Sequence, residues 1–365
     1  MLKQTLIILI LSVLMHGWGF SQNTTAKGLS ASSAEEAFDT SLYYKNPVFE
    51  PDLADPTIIK SPDNWFYAYG TENYWDEALH RLVPVIRSCD LVNWEYVRDA
   101  FDIKPDWKPG GIWAPEITYL QGKYYLYYAF SIWGDKNAAI GLAISDTPEG
   151  PFTDQGKLFD SEEIGVFNSI DPSFFNCDSK NYMIWGSLGG GIYGIELSDD
   201  GKRITGQKFQ IAGNSFEAAY IFQKDGYFYL FVSTSTCCEG ADSKYRVVVG
   251  RSADFKGPYT TITGQELMEQ NNNWHDPVVN EITGVMLSGN ETVAGPGHNA
   301  QILTDDKGVD WFVYHGILRS NPLLPKGATR RSLFIDPIDW SSGWPVINQG
   351  KGPGTEPVEK PFFKN

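Results

Sequence analysis

The sequence predicts an all-β protein folded as a five-bladed β-propeller, because one strand pattern recurs five times along it. Aromatic-rich strands begin at residues 65, 124, 182, 227 and 311. Several short strands with turn residues make up each repeat, and helical periodicity is almost absent. The intervals of 59, 58, 45 and 84 residues fit propeller blades. A β-sandwich would not produce five copies of one pattern, and a β-helix has much shorter repeats.

Each blade is predicted from the same parts in the same order. A short segment comes first, the aromatic strand follows, and a third β-rich segment ends in a turn signal such as Ser145-Asp146 or Ser198-Asp199. The longest interval is expected to hold an inserted loop around residues 269–273. Most aromatic side chains are expected to pack between sheets, with a few left to stack on a sugar.

The beginning of the chain predicts export. Lys3 precedes an apolar run from Leu6 to Leu14 that is too short to span a membrane, so residues 1–21 are predicted to be a signal peptide. A buried first strand is the alternative. Residues 22–40 are small and polar and are predicted to form a flexible leader, followed by a single propeller domain over 41–365. No cysteine follows the apolar run, so we expect a secreted or periplasmic protein without a lipid anchor.

Composition narrows the class of partner. The net charge of −16 argues against nucleic acid or an anionic membrane, both of which need basic surface, and suits a soluble secreted protein acting on a neutral ligand. A monomer is expected. The four cysteines are Cys89, Cys177, Cys237 and Cys238, and their pairing cannot be read from the sequence. Adjacent cysteines rarely bridge to each other. A four-sulfur metal site is not expected, because the usual CxxC spacing is missing.

The segments before the aromatic strands place polar side chains together. They align without gaps, and the first residue of each defines what we call the column: Asp55, Ala114, Asp171, Glu217 and His298. Inner strands of a propeller surround a channel, and their starts ring one mouth of it. The sequence therefore predicts three carboxyl groups and one imidazole in one cavity. Glu116 lies two residues beyond the column, because Pro115 aligns with Pro56 and Pro172, and it is expected at most to line the wall.

Three crowded carboxyl groups suit hydrolysis of a glycosidic bond. One must be protonated to give a proton to the leaving oxygen, and another must be ionised to activate water. Burial and nearby like charges raise the pKa of the most buried carboxyl, which then serves as the acid. The third carboxyl can tune the pKa of this acid and orient it. The alternative is that each Asp-Pro pair is only a turn at the start of a strand.

Several motifs around the column resemble those of glycoside hydrolase family 43, from about Asn46 to Val346. Within the family, the set is most similar to the members that cleave arabinan. The motifs are Asp55-Pro56-Thr57-Ile58, Trp113-Ala114-Pro115, Asn168-Ser169-Ile170-Asp171-Pro172, Trp185-Gly186-Ser187, Phe216-Glu217-Ala218, Cys237-Cys238-Glu239-Gly240, Val249-Gly250-Arg251-Ser252 and Gly295-Pro296-Gly297-His298.

The resemblance implies a secreted, inverting hydrolase of α-1,5-linked L-arabinan. It assigns Asp55 as general base, Glu217 as general acid and Asp171 as the residue that modulates and positions the acid. Inversion requires base and acid carboxyls about 6.5–9.5 Å apart. The resemblance also implies that His298 lies near one calcium or other ion in the central channel. One imidazole suits calcium poorly, so a water-mediated link is expected, and a hydrogen bond from His298 to Asp55 or to substrate is the alternative.

By the same resemblance, Trp113, Asn168 and Ser187 correspond to sugar-contacting positions. Arg331 corresponds to a pocket position, with a solvated rim arginine as the alternative. Residues His275-Asp276-Pro277 mimic an acidic motif but lack a following aromatic strand, so they are predicted to be loop.

Departures from the family pattern leave the exact activity open. Glu116 and Ser169 stand where relatives commonly carry Asp and Ala, and the loop 132–136 decides whether the cleft is open. Endo and exo cutting therefore both stay possible. So do two different functions on the same fold, namely hydrolysis of arabinoxylan or xylo-oligosaccharides and non-catalytic carbohydrate binding. No organic cofactor is expected.

Overall fold

The computed structural model describes residues 39–271 and 282–364. The predicted signal peptide, nearly all of the predicted leader and the motif His275-Asp276-Pro277 lie outside these residues. Within them, five antiparallel sheets follow one another along the chain, and four consist of four strands in sequence order from one edge to the other. The predicted all-β, five-bladed propeller is confirmed.

The first two blades share one layout, in which the first strand of the blade is the innermost. A small hairpin interrupts blade 1, and the two-residue strand β1 precedes it. The strands are β1 Tyr43–Tyr44; for blade 1, β2 Thr57–Lys60, β3 Phe66–Tyr69, β4 Asn73–Tyr74, β5 His80–Arg81, β6 Pro84–Ser88 and β7 Glu95–Asp99; and for blade 2, β8 Gly111–Leu120, β9 Lys123–Ser131, β10 Ala139–Ser145 and β11 Thr153–Asp160.

The other three blades repeat this layout, with one extra short strand in blade 5. The strands of blade 3 are β12 Ser173–Cys177, β13 Lys180–Ser187, β14 Gly191–Glu196 and β15 Phe209–Ala212; those of blade 4 are β16 Glu217–Lys224, β17 Tyr227–Thr234, β18 Arg246–Ser252 and β19 Val285–Ser288; those of blade 5 are β20 Val293–Gly297, β21 Leu303–Thr304, β22 Asp310–Leu318, β23 Ser332–Asp339 and β24 Val346–Ile347.

Little helix is present among the described residues. One helical turn, α1 Ser161–Ile164, begins at the cap Asp160, whose side chain accepts from the Glu163 backbone N–H, and ends at Gly165 in the left-handed region. Three 3₁₀ turns cover Gly240–Asp242, Leu267–Glu269 and Asn348–Gly350. No helix in the described part of the chain is long and apolar enough to cross a bilayer.

The aromatic strands form the second strand of every blade and are buried on both faces. In β9, Tyr124, Leu126 and Tyr128 pack towards blade 1, whereas Tyr125 and Tyr127 pack towards blade 3. Side chains alternate between the two faces of a strand, so a strand between two neighbours needs an unbroken apolar run. This is why the five runs are apolar throughout, and the burial of their rings shows that packing is the main role of these aromatic side chains.

The ring closes where blade 5 meets blade 1. Phe66 and Ala68 of blade 1 pack against Trp311 and Val313 of blade 5 in one apolar cluster. The chain before β2 adds a bridge between Phe49 and Leu333 beside β23. Strand β1 also pairs with the last strand, β25 Val358–Glu359. Both ends of the propeller domain therefore hold the first and last blades together.

The cysteines divide into one pair and two single residues. Cys237 and Cys238 form a disulfide in the loop between β17 and β18, so the expectation that neighbours rarely bridge does not hold here. Cys89 is exposed and Cys177 is half-buried, and both are free thiols.

Candidate active site

Four column residues share one unusual backbone conformation at the mouth of the channel. Asp55, Ala114, Asp171 and His298 have φ values of 51°, 43°, 56° and 43°. Non-glycine residues rarely adopt this left-handed region, and they do so mainly where the surrounding structure fixes a functional conformation. The repeated turn aims each side chain into the channel before the inner strand begins, as the alignment predicts for these four blades.

In blade 4 the gap-free alignment is wrong by one residue. The left-handed position there is Ala218, with φ 54°, and Glu217 precedes it. Regular pairing starts two residues after the turn in every comparable blade, at Thr57, Ser173 and Tyr220. The same bulge spans Trp113 to Glu116 in blade 2 and Glu217 to Tyr220 in blade 4. Glu217 thus occupies the place that Trp113 has in blade 2.

Asp55 is held in its ionised form by cations and donors. Arg331 Nη1 donates to Oδ1 at 2.6 Å, and Thr71 Oγ1 donates to Oδ2 at 2.6 Å. Its backbone N–H donates to His315 Nδ1. Burial opposes the charge, but Arg331 and then His298 outweigh it and hold the pKa of Asp55 well below its usual range. A carboxylate that stays charged is suited to accept a proton from water.

Glu217 is biased towards the protonated form. Its side chain is buried, and burial raises the pKa of this carboxyl, against hydrogen bonds from the Ser187 and Tyr245 hydroxyls. Ser187 Oγ donates to Oε2 at 2.6 Å. A carboxylic acid with a raised pKa keeps its proton to higher pH than an ordinary one and can give it to a leaving oxygen.

Asp171 contacts residues that lie next to both Asp55 and Glu217. Its Oδ2 accepts from the Ala218 backbone N–H at 3.1 Å, next to Glu217, and lies 3.9 Å from His298 Nδ1. Burial raises the pKa of Asp171 to about 7 against the field of His298, and the charges of Glu217 and Asp55 add to the rise. The structure therefore brings Asp55, Asp171 and Glu217 to one mouth with different protonation tendencies.

His298 lies between the carboxyls. Its Nδ1 is 3.3 Å from Asp55 Oδ1, and its backbone N–H donates to Ser233 Oγ. Burial would lower the pKa of His298, but Asp171 and Asp55 outweigh it and raise the pKa above the ordinary value. Below that pKa, His298 is an imidazolium that shares its charge with both carboxyls, which matches the hydrogen-bonding alternative.

The side chains at the site can be compared with the direct ligands that the predicted ion would need. Among residues 39–271 and 282–364, no group of three or more His, Cys, Asp and Glu side chains is arranged to hold a metal ion. A protonated imidazole is also no ligand. Direct chelation of calcium by protein side chains therefore does not fit this site.

The predicted sugar-binding residues are found in different surroundings. Trp113 is half-buried at the mouth, edge-to-face with the exposed Trp133 at a centroid distance of 6.1 Å. Asn168 is half-buried and reaches the Leu188 carbonyl at 3.5 Å. Ser187 is fully buried and bonded to Glu217. Sugar contact by these three residues stays a prediction.

Arg331 faces the site rather than the solvated rim. Its guanidinium is only 11% exposed and pairs with Asp55, while its backbone N–H donates to Asp52 Oδ1 at 2.8 Å. Asp52 was not singled out from the sequence. It is fully buried, and burial raises its pKa to about 6 against the charge of Arg331.

Sequence reasoning missed Thr71, Ser233 and His315, which support the column from positions in or just after the second strands, and it assigned Ser187 to sugar contact instead. A signal was present, because a polar residue follows each aromatic run at the mouth: Thr71, Ser131, Ser187, Ser233 and His315. Four of them contact a site residue directly, Ser131 being the exception. Tyr245, from the loop before β18, carried no comparable signal. His315 stacks on the ring of Tyr245 at 5.8 Å.

Three buried carboxyls with different protonation tendencies, held at one channel mouth of a five-bladed propeller, are the arrangement that hydrolysis of a glycosidic bond requires. Known proteins agree. The family model for glycosyl hydrolases family 43 matches residues 44–345. The chain belongs to this family and is a glycoside hydrolase.

Relatives and solved structures cover most of the chain. It is 32% identical over 340 residues to an extracellular endo-α-(1→5)-L-arabinanase of Bacillus subtilis, covering 89% of this chain and 96% of the relative. It is 29% identical to an extracellular exo-α-(1→5)-L-arabinofuranosidase of Cellvibrio japonicus, covering 82% and 87%. The fold matches a Cellvibrio cellulosa α-L-arabinanase complexed with arabinohexaose, with a TM-score of 0.69 and 28% identity over 83% of this chain and 97% of that one.

Proposed function

We propose that this chain hydrolyses α-1,5-linked L-arabinan, with inversion at the anomeric carbon. The observation that carries the proposal is the opposite tuning of two carboxyls in one mouth, Asp55 towards the charged form and Glu217 towards the protonated form. The similar proteins are arabinan-degrading enzymes, which supports the choice of sugar.

In the proposed reaction, Asp55 accepts a proton from a water molecule as that water attacks the anomeric carbon. Glu217 gives its proton to the oxygen of the leaving sugar as the glycosidic bond breaks. Asp171 holds the Ala218 backbone beside Glu217 and, when ionised, discourages loss of the Glu217 proton. Arg331 and His298 keep Asp55 charged and oriented.

Incubation with linear arabinan, arabinoxylan and xylan, followed by separation of the products, tests the substrate. Release of arabino-oligosaccharides from linear arabinan alone is expected. Products from arabinoxylan or xylan instead would favour the related activities, and no new reducing ends from any polymer would favour a binding protein.

We propose endo cutting, since the exposed ring of Trp133 lies beside Trp113 and offers a second aromatic surface to a long chain. Because the Cellvibrio relative is an exo-acting arabinofuranosidase, the pattern of products must distinguish endo from exo cutting in this chain. Early release of mixed longer oligosaccharides is expected, whereas steady release of one short product would show exo cutting.

We also propose that the protein is exported and acts as a monomer without a membrane anchor. The extracellular relatives support export. N-terminal sequencing of the protein secreted by its host, and its size by light scattering, test these points. A mature N-terminus near residue 22 and a mass of one chain are expected.

An ion in the channel remains a proposal limited to a water-mediated contact with neutral His298, and no catalytic step depends on it. Elemental analysis before and after chelation is the test. A stoichiometric ion that the chelator removes would support it, and an ion-free active protein would rule it out.

A further inference from the structure

Glu116 is a buried carboxylate that the mechanism above does not use. It lies on β8 two residues beyond Ala114, which places it roughly 7 Å further along the channel than the catalytic mouth. Only 7% of the residue is exposed. A buried charged group needs partners, and the partners of Glu116 come from three other blades.

Each oxygen of Glu116 accepts from an inner segment that follows the column. Oε1 accepts from the Phe174 backbone N–H at 2.9 Å, three residues after Asp171 in blade 3. Oε2 accepts from Thr57 Oγ1 at 2.9 Å, two residues after Asp55 in blade 1. Oε2 also accepts from Gln301 Nε2 at 2.8 Å, three residues after His298 in blade 5. One carboxylate thus joins blade 2 to blades 1, 3 and 5.

Gln301 extends the connection across the joint where the ring closes. Its Oε1 accepts from the Ile58 backbone N–H at 2.7 Å and is 3.1 Å from Thr57 Oγ1. Its amide is therefore fixed with the nitrogen towards Glu116. Thr57 Oγ1 in turn accepts from the Ile117 backbone N–H. Every polar atom of this group has a partner from another blade.

We propose that Glu116 is a positioning residue for hydrolysis, whose carboxylate locks the inner strands of blades 1, 3 and 5 against blade 2 and thereby sets the spacing of Asp55 and Asp171. The proposal rests on the proposed function for its kinetic consequence. The two catalytic residues are two and three positions from atoms that Glu116 binds, so a shift of these strands moves the carboxyls directly.

The group also responds to pH. Burial raises the pKa of Glu116 to about 7, against its hydrogen bonds and the field of His298. The other titratable groups facing it are Tyr220 from blade 4 and Tyr127 from its own sheet. A protonated Glu116 can donate to Thr57 Oγ1 if that hydroxyl turns its proton to Gln301. The network then persists in both states without moving heavy atoms.

Glu116→Gln in the full chain is the test, because the amide keeps the shape but cannot accept from all three donors. The matched control is Asp336→Asn. Asp336 is another buried carboxyl, lies on β23 away from the mouth and accepts from the Tyr314 hydroxyl. We expect Glu116→Gln to lose between about 10-fold and 100-fold in kcat on linear arabinan, since small misplacements of reacting groups have effects of this size. KM should change less than about threefold, and the control should match wild type.

A second readout does not depend on the substrate. The chain has five histidines, so an NMR titration can follow His298, identified by the signal lost in His298→Gln. Glu116→Gln should lower the pKa of His298 by removing a nearby negative charge, while Asp336→Asn leaves it unchanged. If wild type does not act on arabinan, the proposed function fails and this titration alone decides the placement of Glu116.

Wild-type kcat in Glu116→Gln would overturn the proposal, and so would an unchanged His298 titration in that variant. If that variant does not fold, Thr57→Val replaces it, because valine removes one donor to Oε2 and keeps the shape. A smaller loss of kcat with unchanged KM is then expected, and wild-type kcat would again overturn the proposal.

Discussion

Asp55 and Glu217 are buried carboxyls in one mouth, yet their partners differ in charge. Asp55 pairs with the Arg331 guanidinium and the His298 imidazole, whereas the hydrogen bonds to Glu217 come from hydroxyl groups and His298 acts on it only through its charge. A cation stabilises the charged form of a carboxyl far more than a neutral donor does. The proposed roles, Asp55 as base and Glu217 as acid, follow from these neighbours.

Substitution of the two carboxyls separates their roles. Glu217→Gln should lose most turnover on arabinan but retain much more on an aryl arabinoside whose leaving group needs no proton. Asp55→Asn should be inactive on both, because water is then not activated. Initial rates on the two substrates are the measurement. Equal losses by both variants on the aryl substrate would show that the acid and base are wrongly assigned.

The guanidinium of Arg331 should set the acidic limb of the pH profile. The base works only when ionised, so activity is lost as pH falls through the low pKa of Asp55. Arg331→Met removes the nearest cation, and the acidic limb of kcat/KM should move up by at least about one pH unit. Arg330→Met is the control, since Arg330 faces Glu50 instead. An acidic limb that stays in place would show that Arg331 does not tune Asp55.

At the scale of elements, the loop between β9 and β10 presents Trp133 at the mouth. Asp135 anchors the loop through an ion pair with Lys108 at 2.8 Å, and its carboxylate accepts from the Asn137 backbone N–H. Trp133 is nevertheless 80% exposed. A large ring held on an anchored loop is suited to stack on a sugar.

Trp133→Ala should therefore weaken binding of long chains. We expect KM for linear arabinan to rise by about 3-fold to 10-fold with little change in kcat, as loss of one stacking contact predicts. Tyr119→Ala is the control, because Tyr119 is an exposed ring near the far end of β8. Kinetics on linear arabinan measure both variants, and an unchanged KM for Trp133→Ala would exclude a binding role.

Elements also explain which predictions hold. The five aromatic strands were predictable because burial on both faces demands an unbroken apolar run. The column held for Asp55, Asp171 and His298, but Glu217 lies one place before the left-handed residue Ala218. Blade 4 has no proline after this turn to fix the register, so the alignment could not reveal the offset. Tyr245 was missed because it comes from a loop of irregular length.

At the scale of the whole molecule, several buried carboxyls should make stability depend on pH. The pKa values of Glu116, Asp171 and Asp336 are raised by burial to about 7, and that of Asp52 to about 6. A folded pKa above the unfolded one favours the folded state at low pH, and that contribution is lost as pH rises through the folded value. Ionised Asp55 acts in the opposite direction, at lower pH.

Stability should therefore decline as pH rises from about 4, near the unfolded pKa values of these carboxyls, to about 7. Asp336→Asn mimics the protonated acid and should reduce this decline, by on the order of 2 kcal/mol. Urea unfolding at several pH values measures the effect. Parallel pH dependence in wild type and variant would show that Asp336 ionises as easily in the folded chain as in the unfolded one.

The proposed roles of Asp55 and Glu217 lead to one reaction with one stereochemical outcome. A water activated by Asp55 attacks opposite the sugar oxygen that Glu217 protonates, so an α-linkage must first give a β-anomer. Proton NMR of linear arabinan during the first minutes of hydrolysis observes this anomer before it equilibrates. We predict that the β-anomer of the new reducing end appears first. Initial release of the α-anomer, or no release at all, would contradict the assignment of Asp55 and Glu217 as an inverting pair.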